Sequence, residues 1–151
     1  MNAIVFYRIA NWMYNHKIPI LPLIVKYFIF LIFNSVVPPS TYIGKKSKFA
    51  YGGIGVVIHS QTTIGDKVII GQNVTIGRQL SPNGVPVIGD NVYISAGARI
   101  LGDIKIGSNV IIGANSVVIN DVPSNSIVAG VPAKVIKKVD KDIYELLENI
   151  Y

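Results

Sequence analysis

Cysteine is absent from the 151 residues, and histidine occurs only twice, as His16 and His59. Without cysteine there is no disulfide framework, no thiolate metal site and no cysteine nucleophile, a pattern that fits a reducing cytoplasm. Two distant imidazoles and no close acidic cluster leave no set of ligands for a metal centre. Basic runs interleaved with stacking aromatics are missing as well, so the formal net charge of +6 points to a polyanionic ligand or surface other than nucleic acid. The stretch G-G-I-G-V-V at 52–57 lacks the third glycine of a dinucleotide fingerprint and opens no helix. What is present is apolar. Half of the chain is hydrophobic, enough for one compact domain with a small appendage.

The N-terminal part is an apolar stretch of its own. Residues 18–37 are long enough to span a bilayer, but Pro19, Pro22, Lys26 and Asn34 interrupt them, and neither the charged start nor the small-residue cleavage site of a signal peptide is found. Residues 2–15 read as a short amphipathic helix with Ile4, Val5, Ile9, Trp12 and Met13 close to one face. A second helix follows Pro22 and ends before Pro38-Pro39. The segment 1–37 is therefore expected to be helical, with two uses open to its apolar surface. It packs on the domain or a partner subunit, or residues 1–36 make peripheral membrane contact with Arg8, Lys17 and Lys26 near the headgroups. The rest of the core is expected not to depend on it.

From about residue 40 a six-residue period takes over. Ile58, Ile64, Ile70 and Ile76 are six apart, and after a gap of twelve Ile88, Ile94, Ile100, Ile106, Ile112 and Val118 resume the interval. Six is neither a helical nor a plain strand period. Four residues after each comes another small or apolar residue, and directly after it usually a glycine, which suits either a positive φ or a close backbone approach. This is the hexapeptide pattern of a parallel β-helix, each unit a short strand and a turn, three units to a coil. A buried isoleucine contributes roughly 1.5–3 kcal/mol, but only when the coils above and below cover it.

Two irregularities stand out. Residues 78–87, R-Q-L-S-P-N-G-V-P-V, supply six extra residues, and Ser81-Pro82-Asn83-Gly84 cannot form a buried strand, so they are expected to leave the coil as a loop. Where later units have glycine after isoleucine, the unit before that loop has His59. Grouping the units in threes puts Ile58, Ile76, Ile100 and Val118 on one face, about 4.8 Å apart, and so places His59 beside the loop. The same grouping makes one column of Asn73, Gly97 and Asn115, and beside it another of Gln72, Ala96 and Ala114, a strip that serves either turn packing or a thin ligand.

These residues carry a family resemblance. The run from Ile43 to Lys138, with V-T-I-G-R-Q, Y-I-S-A-G-A-R-I-L-G-D-I, I-I-G-A-N-S-V-V-I-N-D-V-P and V-A-G-V-P-A-K-V-I, resembles the left-handed β-helix acyltransferases around serine acetyltransferase. R-I-A-N-W-M-Y at 8–14 is similar to the helix that precedes the β-helix there. The resemblance implies a mainly β fold: a left-handed parallel β-helix over 38–136, preceded by the helical segment 1–37 and followed by a tail or short helix over 137–151. It further implies a homotrimer, acetyl-CoA as donor lying between neighbouring prisms, and a histidine that activates an acceptor hydroxyl. Carried over residue by residue, Ala96, Gly97 and Ala114 fall on the pantetheine strip. Gly130, Pro132, Ala133 and Lys134, with Lys137 and Lys138, fall near the adenine and phosphates.

The chemistry asks for a proton acceptor. A hydroxyl attacks a thioester well only if its proton leaves as the bond forms, and an imidazole with its ordinary pKa near 6.5 does this at neutral pH, worth roughly 100- to 10,000-fold. His59 is the candidate general base; the competing reading is a histidine that caps a turn. Two departures bear on the acceptor. Where the family has an Asp-His pair this chain has Ala50 and Tyr51, and the loop carries no histidine. Tyr51, Asn73 and Arg78 are taken as acceptor-binding candidates, and the expected reaction is O-acetylation of a sugar in cell-surface polysaccharide synthesis. Serine O-acetylation and a non-catalytic scaffold are the alternatives.

Overall fold

The computed structural model describes residues 1–81 and 83–148; Pro82 of the expected loop and the last three residues of the 137–151 segment lie outside the described residues. From Tyr42 to Val128 the six-residue period folds into a three-sided prism. One face stacks Tyr42–Ile43, Thr63–Ile64, Val87–Ile88 and Lys105–Ile106; the second stacks Lys48–Phe49, Ile69–Ile70, Val92–Ile94, Val110–Ile112 and Ser126–Gly130; the third stacks Val57–Ile58, Thr75–Gly77, Arg99–Leu101 and Val117–Val118. All of these pair in parallel, and on the third face Ile58, Ile76, Ile100 and Val118 lie in register as the period requires. Strands of two or three residues suffice because each turns only one or two side chains inward.

The glycines after the isoleucines are there for close approach, not for positive φ. A Cβ on Gly65 would lie 2.3 Å from Asp90 Oδ1, one on Gly71 2.7 Å from the Ala96 nitrogen, and one on Gly107 2.5 Å from the Ser124 nitrogen. In each case the next coil is in the way, for Gly65 with the Gly89 carbonyl oxygen at 2.6 Å behind the Asp90 side chain. The positive φ at the corners falls two residues later, on Asn73 (57°), Asn91 (52°), Asn109 (58°) and Asn115 (54°) and on Gly97 (72°), residue types that tolerate the left-handed region.

Two helices close the lower end. α1 (Ala3–Asn15) starts at Asn2, whose side chain accepts a hydrogen bond from the Ile4 N–H, and α2 (Leu21–Phe33) has proline in its first turn and ends at Asn34 in the left-handed region. Tyr7 donates its hydroxyl hydrogen to the Thr41 carbonyl at 2.5 Å, and Arg8 donates to the carbonyls of Ile43 and Gly44. The Asn2 amide donates to the Phe49 carbonyl at 2.9 Å and the Asn11 amide to that of Pro39 at 2.7 Å. Gly53 is a further close approach, since a Cβ there would meet the Phe49 ring and lie 3.2 Å from the Ala3 Cβ.

The sequence reading of this segment needs two corrections. The buried stripe of α1 is Ala3, Ile4, Tyr7 and Ala10, whereas Val5, Ile9 and Trp12 are exposed; the two alanines let the helix lie close to the coil while Tyr7 reaches the Thr41 carbonyl. The core also depends on the helices. Tyr7, Ile29 and Phe33 belong to the same buried cluster as Ile43, Phe49, Val56 and Ile58, because the inward side chains of the first coil have no coil beneath them.

At the upper end Ser126–Gly130 pairs antiparallel with Ala133–Lys138, which ends the parallel ladder. α3 (Ile143–Leu147) then lays Val139, Ile143 and Leu147 on the outer side of the second face, against Tyr93, Ile111 and Ile127. Tyr93 is therefore covered by its own chain.

Burial pushes the Tyr7 hydroxyl up from 10 to about 12. Between those values the unfolded chain has lost a proton that the native state keeps, so stability falls as pH rises through this window. Urea unfolding at stepped alkaline pH is expected to show that slope in the wild type and a shallower one in Tyr7→Phe, which is also less stable at neutral pH by about 1 kcal/mol through the lost hydrogen bond.

Candidate active site

His59 occupies a glycine slot because nothing sits over it. Its partner in the coil above is Gly77, after which the chain leaves the prism at Arg78, so the backbone that obstructs a Cβ at Gly65 or Gly71 is missing here. A Cβ on Gly77 likewise meets nothing within 4 Å. The ejected loop and the histidine are two results of one interruption.

The half-buried imidazole opens into a cleft of about 670 Å³ between the third face and the helical segment, walled by Tyr14, Ile20, Leu23 and Lys26 on one side and Val57, Ser60, Thr75 and Gly77 on the other. The helical segment thus forms half of the site. The Gln61 backbone N–H donates to His59 Nδ1 at 3.2 Å. An N–H cannot accept, so Nδ1 carries the lone pair and the neutral ring holds its proton on Nε2. Arg78 donates to the Gln61 side-chain carbonyl at 3.0 Å. The ring caps its own turn and still faces the cleft.

Around the next corner runs a groove of about 530 Å³, lined by Gln72, Asn73, Ala96, Gly97, Ala114 and Asn115. The alanine strip expected from the period is real, and Val57 and Thr75 border both groove and cleft. Arg99, one residue before the inward Ile100, adds a cation to this groove and is held by the carbonyls of Asn73 and Gly97 at 2.5 and 2.8 Å. At its upper end the Gly130 N–H donates to Ser116 Oγ at 3.2 Å, which ties the C-terminal hairpin with Pro132, Ala133, Lys134, Lys137 and Lys138 to the last coil. Lys134, Lys137 and Lys138 are exposed.

The structure does not bring all candidates together. Asn73 belongs to the groove, not to the His59 cleft. Tyr51 borders a separate cavity of about 260 Å³ with Lys48, Phe49, Ala50 and Ile69. It takes a left-handed φ of 49° in the turn under α1, and within one protomer it does not reach His59. The loop folds over the coil above: a Cβ on Gly84 would lie 2.3 Å from the Asp103 Cβ, and one on Gly102 2.7 Å from Gln79 Oε1. Its described residues do not line the cleft. Sequence reasoning missed Lys26, Gln61 and Arg99. The period places Arg99 outward beside Thr75, and that signal was available; Lys26 enters only through the docking of α2.

The architecture is that of a hexapeptide-repeat prism, and comparison with known proteins agrees. The family described as bacterial transferase hexapeptide (six repeats) matches residues 86–120. The chain is similar to the serine acetyltransferase branch of left-handed β-helix proteins. It is 39% identical over 75 residues to a serine acetyltransferase of Synechococcus elongatus, covering 50% of this chain and 30% of that one. Among solved structures it superposes on the Brucella abortus strain S19 serine acetyltransferase in complex with coenzyme A at a TM-score of 0.85 and 33% identity, covering 91% of this chain and 55% of that one. The soybean serine acetyltransferase complexed with serine gives 0.81 and 37%, covering 89% and 56%. The chain spans little more than half the length of these solved relatives.

The geometry of the two glycines sets up opposite outcomes. Gly97→Ala is expected to lose at least about 1 kcal/mol of stability, because φ is +72° and the new Cβ would lie 2.1 Å from Asn115 Oδ1. Gly77→Ala should unfold within about 0.5 kcal/mol of the wild type in the same urea titration.

Proposed function

We propose that the chain is an acetyl-CoA-dependent O-acetyltransferase, with L-serine the acceptor that the comparisons favour. The observation that carries the reading is the shared wall: Val57 and Thr75 border both the alanine-lined groove and the His59 cleft. A thioester arm lying along Ala96 and Ala114 therefore ends beside the imidazole. Small side chains leave room for the pantetheine, and Lys134, Lys137 and Lys138 offer charge-assisted contacts to phosphates at the end of the groove.

In this reaction the acceptor oxygen bonds to the thioester carbonyl carbon, the carbon–sulfur bond breaks, and the acceptor proton ends on the departing CoA thiol. As held by Gln61, His59 presents Nε2–H and so donates to the carbonyl oxygen while negative charge builds there. To take the hydroxyl proton and hand it to the departing sulfur, the ring must turn off the Gln61 N–H and present Nδ1, the nitrogen that carries the lone pair. Lys26, which has no other lysine, arginine or carboxylate beside it among the described residues of the cleft wall, is placed to meet the carboxylate of serine.

The sugar acceptor loses its main structural support, since the loop of small neutral groups lies over the next coil. A homotrimer in the cytoplasm is part of the proposal. The groove of one protomer is open along its length and a neighbouring prism would close it, and a cysteine-free chain using a CoA thioester fits that compartment.

CoA release from acetyl-CoA is to be followed with L-serine and, separately, with nucleotide sugars. Turnover with L-serine is expected, with Lys26→Met raising KM more than it lowers kcat; turnover with sugars alone would reverse the acceptor assignment, and no thioester cleavage with any acceptor would leave a scaffold. His59→Ala is expected to lower kcat by at least about 100-fold without unfolding the protein. His59→Gln, which keeps a neutral donor, should retain more activity than the alanine variant, while equal loss in both assigns His59 as the base. Retention of most activity by His59→Ala would move catalysis elsewhere.

A further inference from the structure

We propose that α1 and α2 form a docking face for an anionic lipid surface, independent of the acetyl-transfer reading. α2 buries Pro22, Ile29 and Phe33 against the prism and α1. Its outward side carries Ile24, Tyr27, Phe28 and Leu31, spaced i, i+3, i+4 and i+7, with exposures of 55%, 56%, 39% and 77%. A water-facing helix carries polar residues on such a stripe. α1 adds Val5, Ile9 and Trp12, again exposed and at helical spacing. Exposed apolar stripes that include a tryptophan and a tyrosine match the boundary between headgroups and acyl chains.

Charge selects the occupant. All eight acidic residues lie at or beyond Asp66, so residues 1–65 hold six cations and no anion and carry the whole formal charge of +6, while the rest of the chain sums to zero. Lys17 in the turn between the helices and Lys45, Lys46 and Lys48 in the coil under α1 are all exposed; Arg8, bonded to the carbonyls of Ile43 and Gly44, keeps that coil against the helix. Each cation near an anionic leaflet strengthens attachment. Asp66, whose carboxylate accepts from the Lys45 N–H at 2.6 Å, is the acidic side chain beside these lysines; a second copy docked on the helices would instead set two surfaces with no carboxylate of their own against each other, which like-charge repulsion opposes. No helix among the described residues is long and apolar enough to cross a membrane. The 13 residues of α2 reach about 20 Å, against about 30 Å of hydrocarbon. The helices therefore lie on the surface.

The test is vesicle co-sedimentation of the full chain, with Trp12, the sole tryptophan, as fluorescent reporter. Binding to phosphatidylglycerol–phosphatidylcholine vesicles with a blue shift of Trp12 emission is expected, together with weak binding to pure phosphatidylcholine and release by salt. Lys45→Glu/Lys46→Glu should weaken binding at least about tenfold. Ile24→Glu/Leu31→Glu, at exposed positions outside the cleft and groove, should abolish it while circular dichroism and solution activity stay unchanged. Equal binding to neutral and anionic vesicles, or binding that survives the Ile24→Glu/Leu31→Glu change, overturns the proposal. So does a lipid-free assembly that this double variant dissociates, which would assign the face to a second copy.

Discussion

An isoleucine on the inner side of a two-residue strand has no neighbour within its own coil large enough to cover it, so the rest of this molecule depends on vertical stacking. Burial is a property of pairs of coils. The obligatory glycines follow from that, because coils one strand spacing apart leave no room for a Cβ where the lower chain passes beneath the upper turn. So do the asparagines, which turn each corner in the left-handed region at little cost. The two ends of the stack, each with one uncovered coil, follow last: helices close one and an antiparallel strand the other.

The same constraint explains the site. A stacked prism offers smooth faces, and a cleft forms where stacking is interrupted. Ejecting the chain after Gly77 removes the cover from the unit below, makes room for an imidazole and leaves open space in front of Gly77. The helical segment that covers the first coil then supplies the opposite wall with Tyr14, Leu23 and Lys26. Capping and cleft formation are the work of the same two helices.

Periodicity made most of the prism legible from the sequence. It placed Ile58, Ile76, Ile100 and Val118 on one face, ejected the loop after Gly77, and aligned Ala96 with Ala114, because each depends only on counting by six. What it could not show is what depends on distant parts of the chain meeting. The docking of α2, which brings Lys26 opposite His59, leaves no periodic trace, and neither does the path of the loop over Asp103. The orientation of the imidazole was hidden for another reason: it rests on one backbone N–H, that of Gln61, two residues away. Tyr51 borders a cavity apart from the His59 cleft within one protomer, because proximity in sequence to a family motif says nothing about which side of a corner a side chain takes.

The terminations of the ladder have a consequence beyond the core. A parallel β-helix with bare ends shows at each end a row of unpaired backbone groups that fits another copy of itself, the geometry from which fibres grow. Here α1 covers one such edge, with Arg8, Asn2 and Asn11 occupying carbonyls of the first coil, and the returning strand Ala133–Lys138 pairs the other. Three of the six residues of that strand are lysines, which discourages any further strand from adding on. A fold whose internal logic is open-ended repetition is thus held to a fixed number of coils by two devices that lie outside the repeat.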